Sequence, residues 1–302
     1  MAISRAQLAK ELEPGLNALF GLEYNRYENE HSEIFDEESS DRAFEEEVML
    51  GGFASAPVKS EGGSISFDDA QETYTARYSN ETIALAFSLT AEAIEDNLYD
   101  RLASRYTKAL ARSMAQTKQI KAANVLNNAF STGVHAIGDG AALCSAAHPS
   151  LSGNQSNLLG TAADLNETSL ESMLIDIAGM TDERGLKIAI RGMKLIIPKE
   201  LQFIAERVMN SNLRSGTADN DNNAMKNMGM LPEGATVNHF LTDTDAFFVK
   251  TDAPNGFKYF NRSAIKTAME GDFDTGNMRF KARERYSFGV SDWRGVFGTP
   301  GA

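Results

Sequence analysis

Between Ala91 and Thr132 the chain runs through 42 residues without a glycine or a proline. Thr90 is a suitable N-cap, and Glu92 and Glu95 fall in the first turn, where the helix dipole favours carboxylates. Apolar or aromatic residues recur at Ile94, Leu98, Leu102, Tyr106, Leu110 and Met114, then at Val125, Leu126 and Phe130. The stretch predicts one helix of about 40 residues, about 60 Å long, several times the usual globular length. Its spacing is nearer four than three and a half, which disfavours a coiled coil. A rod this long with a single apolar face is best satisfied as a spine laid across a sheet.

Strand-forming sequence lies upstream. In "ETYTARYSNETIALAFSLT", Ile83, Leu85, Phe87 and Leu89 alternate with Ala84, Ala86 and Ser88, the period of a strand. "FEEEVML" precedes "GGFASAPVKSEGG", a glycine-, serine- and proline-rich tip. Together they predict a long hairpin over 44–89. Residues 5–19 predict a short helix interrupted near Pro14 and Gly15. The acidic arm that follows carries isolated aromatics (Tyr24, Tyr27, Phe35, Phe44) and reads as a segment that docks on something else.

Downstream the signals alternate between helix and strand. A loop rich in glycine and serine leads to a helix starting at Thr168, with Glu171 placed for a capping box and Leu170, Met173, Leu174 and Ile177 on the buried face. Gly185 is its expected stop. "LKIAIRGMKLIIP" reads as a strand or strand pair, and Pro198 opens a third helix to about Asn210. A polar loop spans Asn210 to Gly234. "AFFVK" is a short buried strand, and near the end Met278, Phe280 and Ala282 alternate with Arg279, Lys281 and Arg283. Mixed helix and sheet, segregated rather than strictly alternating, make the fold class α+β.

Composition limits what such a chain does. It has 302 residues, 42% of them hydrophobic, enough for one large domain or two modest ones. No apolar run approaches membrane-spanning length, and "MAISRAQLAKELEPGLNALF" lacks the pattern of a secretory signal. The net charge of -13 argues against a main task of gripping nucleic acid. That charge is uneven: Glu23–Glu47 is heavily acidic, while Arg101, Arg105, Lys108, Arg112, Lys118 and Lys121 make the spine basic. Segments of opposite sign pair within a subunit or between subunits.

The single cysteine excludes an internal disulfide and suits a reducing compartment. "CSAAHP" sets Cys144 four residues from His148, a spacing that raises a thiol nucleophile with its base, or two metal ligands. Neither is complete on the sequence. No second cysteine exists for a zinc site, and Asp139 is the closest acid, with no residue evidently placed to orient the imidazole. A structural loop is the expectation, with no metal and no cofactor. Trp293 and Arg294 in "SDWRG" read as packing and ion-pairing residues, and "GTPG" lacks the lysine of a phosphate-binding loop.

The order of the pieces carries more than any one of them. "DGAALCSAAHP", "LIIPKELQFIAERVMNS", "FFVKTDAPNG" and "RYSFGVSDWRGVFG" follow an arm, a hairpin and a spine helix. In that order the chain resembles the major capsid (major head) proteins of tailed bacteriophages, of the Hong Kong ninety-seven type, over nearly its whole length. The resemblance implies an N-terminal arm (1–43), an E-loop hairpin (44–89), a peripheral domain with the spine helix (90–163), an axial domain (164–274) and terminal strands returning to the peripheral domain (275–302). It implies a non-enzymatic shell subunit, with the E-loop lying over a neighbour and the arm reaching beneath others. Its partners would be itself, as hexamers and pentamers, with portal, scaffold or decoration proteins and packaged DNA bound without sequence specificity. The place would be the virion capsid, assembled in the bacterial cytoplasm. With an arm starting near Met1, no long N-terminal scaffolding segment is expected. Some relatives join an E-loop lysine to a neighbour's asparagine with help from a glutamate. Asn277 and Glu284 match that placement, and Lys59 matches by region. Two alternatives stand beside this reading: an encapsulin-like nanocompartment shell, and a soluble enzyme using Cys144 and His148.

Overall fold

The computed structural model describes residues 5–90, 92, 99–133, 137–213, 222–272 and 275–302. The long helix is α2, Tyr99–Asn127, 29 residues and about 44 Å. Its expected start, with Ile94, Glu95 and Leu98, lies outside the described residues. Ala103, Thr107, Leu110, Ala111, Met114, Ala122, Val125 and Leu126 form its buried face. The steps of three and four are those of an amphipathic helix. Tyr106, expected inside, is about half exposed. Counting large residues alone tilted the predicted stripe; small alanines complete the real one.

α2 belongs to two cores. Its first half lies on a four-stranded sheet in the order β1-β8-β9-β4, formed by β1 (Asp36–Ser39), β4 (Glu81–Leu89), β8 (Phe257–Gly271) and β9 (Met278–Val290). There Leu110, Ala111 and Met114 pack with Phe280 and Ala282 of β9 and with Leu16 and Phe20 of α1 (Arg5–Tyr24). The burial of a side chain such as Phe280 stabilises by about 2 kcal/mol. The second half of α2 enters a larger core with α3 (Glu167–Gly179) and a second sheet. That sheet has the order β10-β7-β5-β6, from β5 (Gly192–Ile197), β6 (Ala235–Val237), β7 (Phe247–Thr251) and β10 (Val296–Thr299). Gly192 is required there: a Cβ would stand 2.7 Å from Leu174 and 2.9 Å from Val249.

The strand pairing redraws the predicted hairpin. β2 (Phe44–Gly51) pairs antiparallel with β3 (Gln71–Ser79), whereas β4, read as part of the same hairpin, pairs with β9. Asn80 divides the two; its backbone N–H donates to the Ala43 carbonyl. The alternation of β4 fitted either arrangement, because a period of two does not name the partner strand.

Other expectations shift locally. α1 continues through Pro14 instead of breaking there, since Leu16 and Phe20 beyond it are held in the core. The cap of α3 is Asn166, not Thr168: its side chain accepts from the Ser169 N–H at 2.8 Å, and the Ser169 hydroxyl accepts from the Asn166 N–H at 3.0 Å. The helix ends at Gly179, and Gly185 serves a separate turn bridged by Thr181 and Lys187. Pro198 caps a short 3-10 turn that leads into α4 (Gln202–Asn210). Part of the predicted polar loop is a helix, α5 (Ala224–Met228), pinned by buried Met225; residues 214–221 of that loop lie outside the described residues. Among the described residues no helix is long and apolar enough to cross a membrane.

Candidate assembly interface

The cysteine–histidine pair resolves into a buried structural cluster. His148 is fully buried; its Nδ1 lies 2.7 Å from Asp139 Oδ2 and its Nε2 lies 3.0 Å from Asn157 Oδ1. Asp139 therefore does orient the ring, contrary to the sequence reading. The Asn157 amide donates to the carbonyls of Leu143, Trp293 and Val296, which fixes its oxygen toward the histidine. The imidazole stacks flat on Trp293, centroids 4.4 Å apart and planes 1° apart. Arg294, with its guanidinium 4.1 Å from the same indole, donates to Glu183 Oε1 at 2.9 Å and to the Thr181 carbonyl at 2.8 Å. Both ring nitrogens of His148 are thus engaged by oxygens. Cys144 is buried beside Gly298, and burial pushes its thiol far up, away from the reactive thiolate. The arrangement ties the 139–157 loop to the C-terminal strand, with the thiol and the imidazole both closed off from solvent.

The other expected residues are not brought together within the chain. Lys59 is exposed in the loop after β2. Asn277 ends the turn before β9, and its carbonyl accepts from the Asp272 N–H at 2.8 Å. Glu284 lies seven residues along the same strand, about 23 Å away. Its side chain is 1% exposed and sits 2.7 Å from Lys118 Nζ, while Tyr24 donates to the same oxygen at 3.1 Å. The Lys118 ammonium is surrounded by the rings of Tyr24, Tyr259 and Tyr286, 5.1–5.8 Å away. Burial, then the Glu284 charge, pushes the Tyr24 hydroxyl far up, so it remains a donor. The sequence reading named Asp139 and Lys118 without these roles, and it missed Asn157 altogether. Their partners lie 9, 9 and 166 residues away, and nothing local marks them.

Among the described residues the acidic arm finds its basic partners inside the chain, though not on the spine. Glu30 meets His239, Glu33 meets Lys194, Asp36 meets Lys250, and Glu38 and Glu47 share Lys258. Of the basic spine residues, Lys118 and Lys121 pair with strand carboxylates, Glu284 and Glu81.

Two surfaces stay unsatisfied in the single chain. The β2–β3 pair forms a sheet of its own. Val48, Leu50, Phe53, Val58, Ile65 and Phe67 on it and its loop are exposed. Its root is fastened to the body where Gly138 passes under Thr75, with no room for a Cβ, and where Arg184 donates to the Asp69 carbonyl at 2.8 Å. The second surface is the face of the β1-β8-β9-β4 sheet turned away from α2. A groove of about 890 Å³, lined by Leu165, Asn166, Asp176, Ile204 and Arg207 among others, opens between α3 and α4, and neither Cys144 nor His148 reaches it.

Comparison with known proteins fits these surfaces. A family model described as phage capsid protein matches residues 73–298, about three quarters of the chain. No curated protein sequence matches. Among solved structures, the capsid of an empty GTA particle has 12% identity and a TM-score of 0.57 over 90% of each chain. A virus-like particle from Pyrococcus furiosus has 9% identity and a TM-score of 0.54, over 94% of this chain and 97% of that one. The capsid of Myoviridae phage XM1 has 12% identity and a TM-score of 0.53 over 89% of each. At such identities the structures speak for the fold, and the family match speaks for kinship. With an α+β fold shared with capsid subunits and a family match over most of its length, the chain belongs to the phage capsid protein family and is a structural capsid subunit.

Proposed function

We propose that copies of this chain assemble as hexamers and pentamers into a closed icosahedral shell around double-stranded DNA, without catalysing a reaction. The observation that carries this reading is the β2–β3 hairpin, a two-stranded sheet with exposed apolar side chains. Two strands alone are marginal in water. Such an arm gains its partner from a neighbouring subunit, and contacts of modest strength become durable when repeated around a closed lattice.

In this reading the hairpin with its loop is the E-loop and α2 the spine of the peripheral domain. The β10-β7-β5-β6 sheet with α3 and α4 is the body of the axial domain, and α1 with the acidic segment is the N-terminal arm. Portal, scaffold and decoration proteins are the further partners of such a head, and assembly takes place in the bacterial cytoplasm. DNA is enclosed without sequence readout.

Expression of the full chain, followed by size-exclusion chromatography and negative-stain microscopy, tests the reading. Particles of megadalton mass are expected. A small oligomer at every concentration overturns the proposal, and particles filled with an enzyme instead of nucleic acid point to a nanocompartment.

A further inference from the structure

The sequence of α2 holds six cations and a single carboxylate, Asp100. Lys118 and Lys121 turn toward the sheet, where Glu284 and Glu81 take them. Arg105, Lys108 and Arg112 are exposed on the outer side. Steps of three and four put them on one stripe of the helix, about 4.5 and 6 Å apart along its axis. Among the described residues none of the three makes an ion pair. In a chain of net charge -13, this is a straight, unneutralised positive edge.

The carboxylates nearest the stripe are occupied or stand off from it. Glu23 and Glu28 border the recesses beside Lys108 and Arg112 without pairing with them, and Glu23 lies 3.5 Å from Arg26. Further along the arm, Glu30 is engaged by His239, Glu33 by Lys194, Asp36 by Lys250 and Glu38 by Lys258. Arg112 has an aromatic neighbour instead, its guanidinium 5.7 Å from the centre of the Tyr27 ring. Ala109, Ser113 and Gln116 fill the space around the cations. A protein partner would find no large apolar side chain among them to anchor on.

We infer that Arg105, Lys108 and Arg112 hold the phosphate backbone of the enclosed duplex DNA, and hence that the face bearing α1 and α2 is the inner face of the shell. The DNA comes from the reading of the chain as a shell subunit, on which this assignment rests. One strand of a duplex carries a phosphate per about 3.4 Å of its axis. A straight row of cations at the spacing of this stripe meets phosphates on any sequence, and such contacts carry no sequence information. The two arginines offer a phosphate a planar fork, and the lysine a point charge. Three contacts per copy are few. They hold because they recur on every copy of a closed wall, while the net charge of -13 keeps the rest of that wall from the polyanion. An acidic segment of a second copy is the rival occupant. DNA is favoured because the arm's carboxylates are already engaged and the stripe offers a protein no apolar anchor.

Charge neutralisation in the full chain tests this. The stripe variant, Arg105→Gln with Lys108→Gln and Arg112→Gln, is compared with an equal loss of charge at three other exposed lysines, Lys187→Gln with Lys199→Gln and Lys226→Gln. Fluorescence anisotropy follows a short DNA duplex of arbitrary sequence across a salt series, with subunits kept below the concentration at which they assemble and with closed particles. Sedimentation gives particle yield, and circular dichroism checks folding. Free subunits of the stripe variant are expected to bind at least about tenfold more weakly than wild type, with the slope of log affinity against log salt reduced by about 3. The control variant should stay within about threefold of wild type. Arg105→Lys with Arg112→Lys keeps the charge and should keep the slope. Particle yield should be unchanged throughout. Closed wild-type particles should bind added duplex far less per subunit than free subunits do, because the stripe is turned inward. Equal losses in the stripe and control variants, or a stripe variant that binds as wild type does, overturn the inference while leaving the shell reading intact. Binding to closed particles as strong as to free subunits turns the face outward and overturns it too. A stripe variant that binds DNA normally but no longer forms particles gives the face to a second copy. A wild-type chain that forms no particles overturns the shell reading and the inward face with it, whatever the salt series shows.

Discussion

Lys118 and Glu284 meet at 2.7 Å with side chains 13% and 1% exposed, and through Tyr24 they fasten α1 to the sheet. Removing one partner of a buried pair strands the other charge, at about 3–5 kcal/mol. Lys118→Met should therefore lower the thermal midpoint sharply. Lys118→Met with Glu284→Leu should recover much of the loss. A single variant as stable as wild type would show the pair to be dispensable.

Because Glu284 is already engaged by Lys118 and Tyr24, it is poorly placed to serve a cross-link between Lys59 and Asn277. Assembled particles boiled in detergent should run as clean monomer. A ladder of covalent multimers that vanishes in Lys59→Arg would reverse this expectation.

The His148 cluster gives a test that separates architecture from chemistry. His148→Ala leaves Asp139 Oδ2 buried without its partner and opens a hole against Trp293, for a loss of about 3–5 kcal/mol. Cys144→Ala removes one small buried group and should cost about 1 kcal/mol. Chemical denaturation of both variants checks the ranking. Equal effects on assembly without loss of stability would favour a joint chemical role.

His31 predicts an acid limit. It is buried against Tyr259 and Phe288, and burial lowers its pKa from 6.5 to about 4. The unfolded chain then binds more protons than the folded one between those values, so stability is full above about pH 6.5 and is lost as pH falls toward 4. The difference amounts to about 3 kcal/mol. Urea unfolding at neutral and mildly acidic pH should show it, and His31→Phe should flatten that part of the profile.

Assembly should weaken with salt, since exposed charges between copies are screened within about 10 Å at 0.1 M ionic strength. Light scattering across a salt series checks this. Indifference to salt would leave the hairpin's apolar residues as the whole of the contact.

Much of the fold was legible because it is written in local periods. The spine announced itself by 42 residues without a breaker, and β9 by the alternation of Phe280 and Ala282 with Arg279 and Lys281. What stayed hidden was pairing. Nothing in Glu81–Leu89 says that its partner is β9 and not β2, and no local pattern joins Lys118 to Glu284 across 166 residues. The cap of α3 was missed by two residues because Thr168 and Glu171 have the same spacing as the true pair, Asn166 and Ser169. The candidate chemistry at Cys144 failed on burial, which depends on the whole fold.

The sharing of α2 between two cores has a mechanical consequence. A rod whose one half is clamped to one sheet and whose other half is embedded in the second lets neither sheet tilt by itself. The subunit behaves as a stiff tile. Any change of curvature in a wall built from such tiles must then be absorbed at the seams between copies, and not by bending within the tile.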